Sequence, residues 1–155
     1  WSDSVRIASE ALLCDPDVVI GSSRGGALAV HISKPTTKLI ILAPAWNKYD
    51  VQPVVPYGTQ ILHCLKDDIV EYVDSVKLMN WNDGVRLIEA GTSHRMNDQD
   101  ALEHTPPYIF QPMVYIGCEE VEDDWMQMKM HKFFSASGGF LYLRAEDFKH
   151  LEKIQ

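Results

Sequence analysis

The chain has few cysteines, no long apolar run and less positive than negative charge, and these shortages exclude several classes of protein. Its 155 residues include three cysteines, Cys14, Cys64 and Cys118. They form neither a CxxC pair nor an even disulfide set, so their usage favours a reducing compartment, and we expect a cytoplasmic location. No apolar run reaches about 18 residues, so we expect no membrane-spanning helix.

The balance of charge argues against polyanionic partners. Fourteen Lys and Arg residues stand against 22 Asp and Glu residues, which gives a formal net charge of −8. The chain has no excess of Lys and Arg that could displace the counterions around a polyanion. We therefore expect neither nucleic acid nor an anionic membrane surface as a partner. Hydrophobic residues make up 46% of the chain, which is ample for the core of one domain.

The most informative segment is the turn Gly21-Ser22-Ser23-Arg24-Gly25-Gly26. It follows the apolar run 18–20 and precedes the apolar stretch 27–30. A G-x-S-x-G pentapeptide between a strand and a helix is typical of a nucleophile elbow, here with Ser23 at its centre. Gly21 and Gly25 would relieve steric clashes in the strained turn. The alternative is an ordinary Gly-Ser loop, since short motifs also occur by chance.

A carboxylate and a histidine follow later in the chain, each after a predicted strand. The pattern of segment 59–64 predicts a short buried strand, which is followed by Asp67 and Asp68. In segment 85–89 apolar and polar residues alternate, which predicts a second strand, and a Gly-rich loop with His94 follows it. Reacting groups collect at the carboxyl ends of parallel strands. We therefore expect the serine, a carboxylate and His94 to converge on one edge, although an aspartate here could also be a simple turn residue.

The chemistry of these groups suggests their roles. A serine hydroxyl needs a base to remove its proton as it attacks an acyl carbon, and an imidazole suits that task at neutral pH. His94 is the candidate base, because the other five histidines lack a Gly-rich loop after a strand: His31, His63, His104, His131 and His150. An aspartate would accept the second ring N–H and fix the tautomer of the imidazole.

Three segments, 17–27, 61–70 and 90–95, resemble a small bacterial-type serine hydrolase of the α/β-hydrolase superfamily. The resemblance covers residues 1–104 and implies a Ser-His-Asp triad, an acyl-enzyme and no metal or organic cofactor. In that family the triad acid is followed by one residue and then two β-branched residues, which favours Asp67, with Asp68 as the runner-up. The family often has proline where this chain has Glu71. The resemblance also implies that the backbone N–H of Arg24 is one oxyanion donor.

The resemblance further implies a mainly parallel α/β sheet flanked by helices and truncated at its N-terminus. The stripe Trp1, Val5, Ala8 and Leu12 predicts that the chain opens inside the helix before the elbow strand. The family's upstream strands, and the loop that gives the second oxyanion N–H, would then be missing. Loss of one such donor typically lowers the rate by about a hundred- to a thousand-fold, so weak activity is expected.

Two functions follow from this incomplete pattern. One is a hydrolase that cleaves a small soluble ester or thioester, and the other is a catalytically silent α/β-hydrolase-like module that binds a partner. A homo-oligomer, or a partner segment that completes the sheet, is a further expectation.

The segment 43–58 follows a predicted strand at 38–42 and is too short and proline-rich to form a helical lid. We therefore expect an open site. Trp46 and Tyr49 in this segment would be walls of the acyl pocket or, alternatively, aromatic residues of the core.

The chain divides into a catalytic core, residues 1–104, and a C-terminal extension, residues 105–155, packed on the core or appended to it. The extension has predicted strands at 113–117 and 140–143 and predicted helices at 119–134 and 145–154. It would either cover surface that the missing upstream strands normally cover or bind a partner.

Overall fold

The fold is an alternation of strands and helices. The computed structural model describes residues 1–14, 16, 18–96, 98–104, 113–116 and 140–143. The strands are β1 (Val18–Ser22), β2 (Lys38–Leu42), β3 (Gln60–His63), β4 (Arg86–Glu89), β5 (Met113–Ile116) and β6 (Phe140–Leu143). The helices are α1 (Ser2–Ala11), α2 (Arg24–Ile32), α3 (Tyr72–Trp81) and α4 (Gln99–His104), with 3-10 turns at Leu12–Cys14 and Trp46–Tyr49.

All the strands join one parallel sheet, which confirms the predicted α/β class. Their order is β4-β3-β2-β1-β5-β6, with β1 to β4 from the first 104 residues and β5 and β6 from the extension. Central parallel strands are covered on both faces and therefore read as continuous apolar runs. β1 and β2 have this character, and four of the five residues in each are buried.

The hydrophobic core lies between the sheet and its helices. Val19, Ile41 and Ile61 come from three adjacent strands, and each is completely buried. Leu28 of α2 and Leu78 of α3 belong to the same cluster. None of the helices in the described part of the chain has the length and apolar character needed to cross a bilayer.

The direction of the connections changes at β1. The chain moves from β1 to β2 on one side, whereas β5 lies on the other side of β1 and leads to β6 farther away. Gly21 near the end of β1 is the register partner of Ile116 at the end of β5. Ligands bind in open α/β sheets at such switch points, outside the carboxyl ends of the strands. The turn with Ser23 emerges at this point.

The extension supplies strands to the sheet itself. β5 pairs with β1 over Val18–Gly21, and β6 pairs with β5. β1 therefore has a neighbouring strand on each side, β2 and β5, and leaves no free edge with which a strand of another molecule could pair. Both predicted roles of the extension, covering surface and binding a partner, stay predictions. The helices predicted at 119–134 and 145–154 lie outside the described residues.

The position of β1 predicts its hydrogen-exchange pattern. Amides of a parallel strand point alternately to its two neighbours, so every amide of β1 beyond its first residue should be protected. β4 borders only β3 in the described sheet, and its alternate amides should exchange fast. Exchange followed by NMR on the full chain tests this expectation. Fast exchange at alternate β1 amides, matching that of β4, would contradict the pairing of β1 with β5.

Candidate active site

The turn after β1 holds Ser23 in a strained backbone conformation. Its φ is 51° and its ψ is −116°, a region that side-chain-bearing residues occupy only when their surroundings enforce it. Two backbone hydrogen bonds help to hold Ser23 in this conformation. The Ser23 N–H donates to the Leu42 carbonyl at 2.9 Å, and the Ser23 carbonyl accepts from the Ala45 N–H at 3.0 Å. The turn is thus fastened to the end of β2 and to the loop that follows.

Glycines allow the turn to pack closely. A Cβ atom added to Gly21 would lie 2.5 Å from the Gly25 carbonyl oxygen, and one added to Gly26 would lie 2.9 Å from the Pro44 Cα. Both distances are shorter than a real Cβ atom allows. The start of α2 can therefore pack this closely against β1 and Pro44 only because residues 21 and 26 are glycine. α2 begins at Arg24, whose amide therefore belongs to the first turn, where N–H groups point out of the helix end.

The loop after β4 positions His94. Gly91 and Met96 both adopt positive φ, at 80° and 53°, and the Met96 side chain is completely buried beneath the loop. Asp98 ties the loop to α4, because its carboxylate accepts from the Thr92 N–H at 2.7 Å and from the Ala101 N–H at 3.0 Å. Burial alone would raise the pKa of Asp98, but these hydrogen bonds outweigh burial and lower it.

Ser23, His94 and Asp67 form a hydrogen-bonded chain. His94 Nδ1 lies 2.7 Å from Asp67 Oδ2, and His94 Nε2 lies 2.9 Å from Ser23 Oγ. A carboxylate only accepts, so Nδ1 carries the proton and Nε2 of the neutral ring accepts from the Ser23 hydroxyl. His94 is 7% exposed, whereas Ser23 is partly open to solvent. The three residues predicted from sequence therefore meet at the carboxyl edge of the sheet.

Asp67, and not Asp68, is the carboxylate that reaches His94. Its Oδ1 accepts from the Ile69 N–H at 2.8 Å and from the Val70 N–H at 2.9 Å. Asp68 is exposed. Burial pushes the pKa of Asp67 upward as the largest single influence, but hydrogen bonds from His63, His94 and the two amides together hold it well below its ordinary value. Asp67 is therefore ionised at neutral pH.

His63 is part of this arrangement, although its sequence context predicts only a strand residue. Its Nε2 lies 3.1 Å from Asp67 Oδ2, and its Nδ1 lies 2.7 Å from Ser75 Oγ. The side chain is completely buried. Its position as the last residue of β3, four residues before Asp67 and at the same sheet edge, was the signal available in the sequence.

The two predicted pocket aromatics occupy different environments. Trp46 belongs to the hydrophobic core, and its indole N–H donates to the Asp74 carbonyl at 3.1 Å, which fits the core alternative. Tyr49 is 38% exposed. Its ring stacks on Trp1 at 4.9 Å between centroids and lies 5.8 Å from the Arg24 guanidinium carbon. The segment 43–58 contains the short 3-10 turn Trp46–Tyr49 and no α-helix.

Among the described residues, no three His, Cys, Asp or Glu side chains lie together in a group that could hold a metal ion. Cys64 is a free cysteine and is buried. No protein-family model, curated protein or solved structure matches this chain.

The lowered pKa of Asp67 predicts a specific acid sensitivity. Its ionised form stabilises the fold fully above the unfolded value of about 3.9, and this contribution is lost as the pH falls from there through the lower folded pKa. Unfolding free energies from urea titrations between about pH 5 and pH 2 should therefore fall less steeply in Asp67→Asn than in the wild type. Asp68→Asn removes the same charge from an exposed site and should keep the wild-type slope. Equal slopes for Asp67→Asn and wild type would contradict a lowered pKa of Asp67 in the folded protein.

Proposed function

We propose that the protein is a serine hydrolase that cleaves a small soluble ester or thioester through an acyl-enzyme at Ser23. The observation that carries the proposal is the hydrogen-bonded chain from the strained Ser23 through His94 to the ionised Asp67. Serine, imidazole and carboxylate in this order match the roles of nucleophile, general base and orienting acid. Their place at a switch point of the sheet adds independent support.

The proposed reaction begins as Ser23 Oγ attacks the acyl carbon and its proton passes to His94 Nε2. Asp67 keeps its charge and stabilises the imidazolium that forms. The tetrahedral intermediate collapses when the bond from the acyl carbon to the leaving oxygen or sulfur breaks and His94 returns the proton to that atom. Water then attacks the acyl-enzyme with His94 again as base, which releases the acid and regenerates Ser23.

The negative charge on the intermediate requires donors near Ser23. The Arg24 amide, in the first turn of α2, is the proposed donor, and the dipole of that helix adds to it. The absence of a helical lid over 43–58 favours small, freely diffusing substrates. A cytoplasmic location, inferred from the cysteine usage, remains part of the proposal.

Replacement of the nucleophile provides the direct test. Ser23→Ala should abolish both labelling by a fluorophosphonate probe and turnover of p-nitrophenyl acetate, because no other group takes the place of Oγ. Intact-mass spectrometry and absorbance assays measure the two effects. Circular dichroism should show an unchanged fold.

Ser22→Ala is the matched control for this test, because Ser22 adjoins Ser23 but lies within β1. It should label and turn over at close to the wild-type level. Equal labelling of Ser23→Ala and wild type would refute Ser23 as the nucleophile. A folded wild type that neither labels nor turns over would favour the alternative of a catalytically silent binding module.

The identity of the acid can be tested with the two adjacent aspartates. Asp67→Asn should lower kcat about ten-thousand-fold, because the amide favours the wrong tautomer of His94. Asp68→Asn, a change of the same kind at an exposed position, should have a small effect. Steady-state kinetics on both variants distinguish them, and a large loss in Asp68→Asn alone would exclude Asp67.

A further inference from the structure

The carboxylate of Asp67 is held differently at its two oxygens. Oδ1 is fixed by two backbone amides of its own turn, those of Ile69 and Val70. Oδ2 has two side-chain partners among the described residues, His94 at 2.7 Å and His63 at 3.1 Å. His94 gains and loses a proton at Nε2 during the proposed reaction while its Nδ1–H stays on Oδ2, whereas His63 contacts Oδ2 from outside the path of proton transfer.

The surroundings of His63 determine which nitrogen carries its proton. Nε2 faces two acceptors, Asp67 Oδ2 at 3.1 Å and the Val70 carbonyl at 3.2 Å, so it must be the protonated nitrogen. Nδ1 lies 2.7 Å from Ser75 Oγ, whose hydroxyl can donate to it. A neutral ring with Nε2–H therefore satisfies all of these contacts. In that state His63 donates to Asp67 without neutralising the charge that His94 needs.

The ring is also fixed in orientation. Tyr72 packs against it with 5.4 Å between ring centroids, and Ser75, on the same helix, bonds its far nitrogen. α3 therefore holds His63 from one side while the loop with Asp67 contacts it from the other. Packing alone would not require hydrogen bonds at both ring nitrogens of His63, and both are present.

From these contacts we infer that His63 is a positioning residue for the triad. Its Nε2–H holds Oδ2 of Asp67 in the orientation that the Nδ1–H of His94 requires, so the effect on Ser23 passes through the carboxylate. This inference rests on the proposed hydrolase function. The His63 side chain is completely buried and is assigned no step of proton transfer.

Two substitutions of His63 separate positioning from mere packing. His63→Leu fills the space without a donor and should lower kcat about 10- to 100-fold with KM little changed, the loss expected when a hydrogen bond to a charged group disappears. His63→Gln can place an amide N–H near the position of Nε2 and should recover most of that loss. Rates are expressed per Ser23 that reacts with the fluorophosphonate probe, which removes any effect of a smaller folded fraction.

Tyr72→Phe is the matched control, because it keeps the ring beside His63 and the donor to Asp67, and it should retain the wild-type kcat. The far-downfield proton NMR signal of His94 Nδ1–H gives a second readout that needs no substrate. It should shift or broaden in His63→Leu and persist in His63→Gln.

The outcomes distinguish the inference from the proposed function. Wild-type kcat per reactive site and an unmoved His94 signal in folded His63→Leu would overturn the positioning role, as would a loss in His63→Gln equal to that in His63→Leu. If His63→Leu does not fold, the kcat and NMR signal of His63→Gln decide, and a kcat reduced as far as that of Asp67→Asn would refute the donor role. Failure of the wild type to react with the probe would instead refute the hydrolase function, and the NMR comparison would still test the contact between His63 and Asp67.

Discussion

The candidate site depends on compensation of one buried negative charge. The Asp67 side chain is fully enclosed, and an ionised carboxylate inside a protein is tolerated only when its oxygens are hydrogen-bonded. Four donors meet this requirement: the amides of Ile69 and Val70, His63 from β3 and His94 from the loop after β4. Loss of any of these donors would leave an oxygen of the enclosed carboxylate without one of its hydrogen bonds, so the same bonds stabilise the fold and align Asp67 with His94.

The parallel sheet makes this meeting of distant residues geometrically simple. Backbone bonds continue the sheet into the loops, since the amides of Ser23 and Ala43 donate to Leu42 and Leu62 at 2.9 Å each. Each loop therefore starts from a fixed position at the carboxyl edge. Ser23 and His94, 71 residues apart in the chain, are brought to 2.9 Å because β1 and β4 point the same way.

The helix α3 and the environment of Trp46 are not evident from the sequence, and each has an identifiable reason. α3 was not predicted, and its apolar residues Val73 and Trp81 are exposed, so it lacks a simple apolar stripe. Trp46 could be read as a pocket wall or as core, because an aromatic side chain suits both. In the structure Trp46 belongs to the core cluster, and its indole N–H donates to the Asp74 carbonyl across 28 residues.

Local signals in the sequence were sufficient for the strands β1 to β4, the elbow at Ser23 and the loop with His94. Each is encoded within a few consecutive residues, as an apolar run followed by glycine or a polar turn. The local pattern after Asp67 already favoured it over Asp68, and the structure shows which of the two contacts His94. The place of β5 beside β1 and the contact of His63 with Asp67 were decided only by tertiary structure. Strand order and side-chain direction depend on atoms far apart in the chain, which no local pattern records.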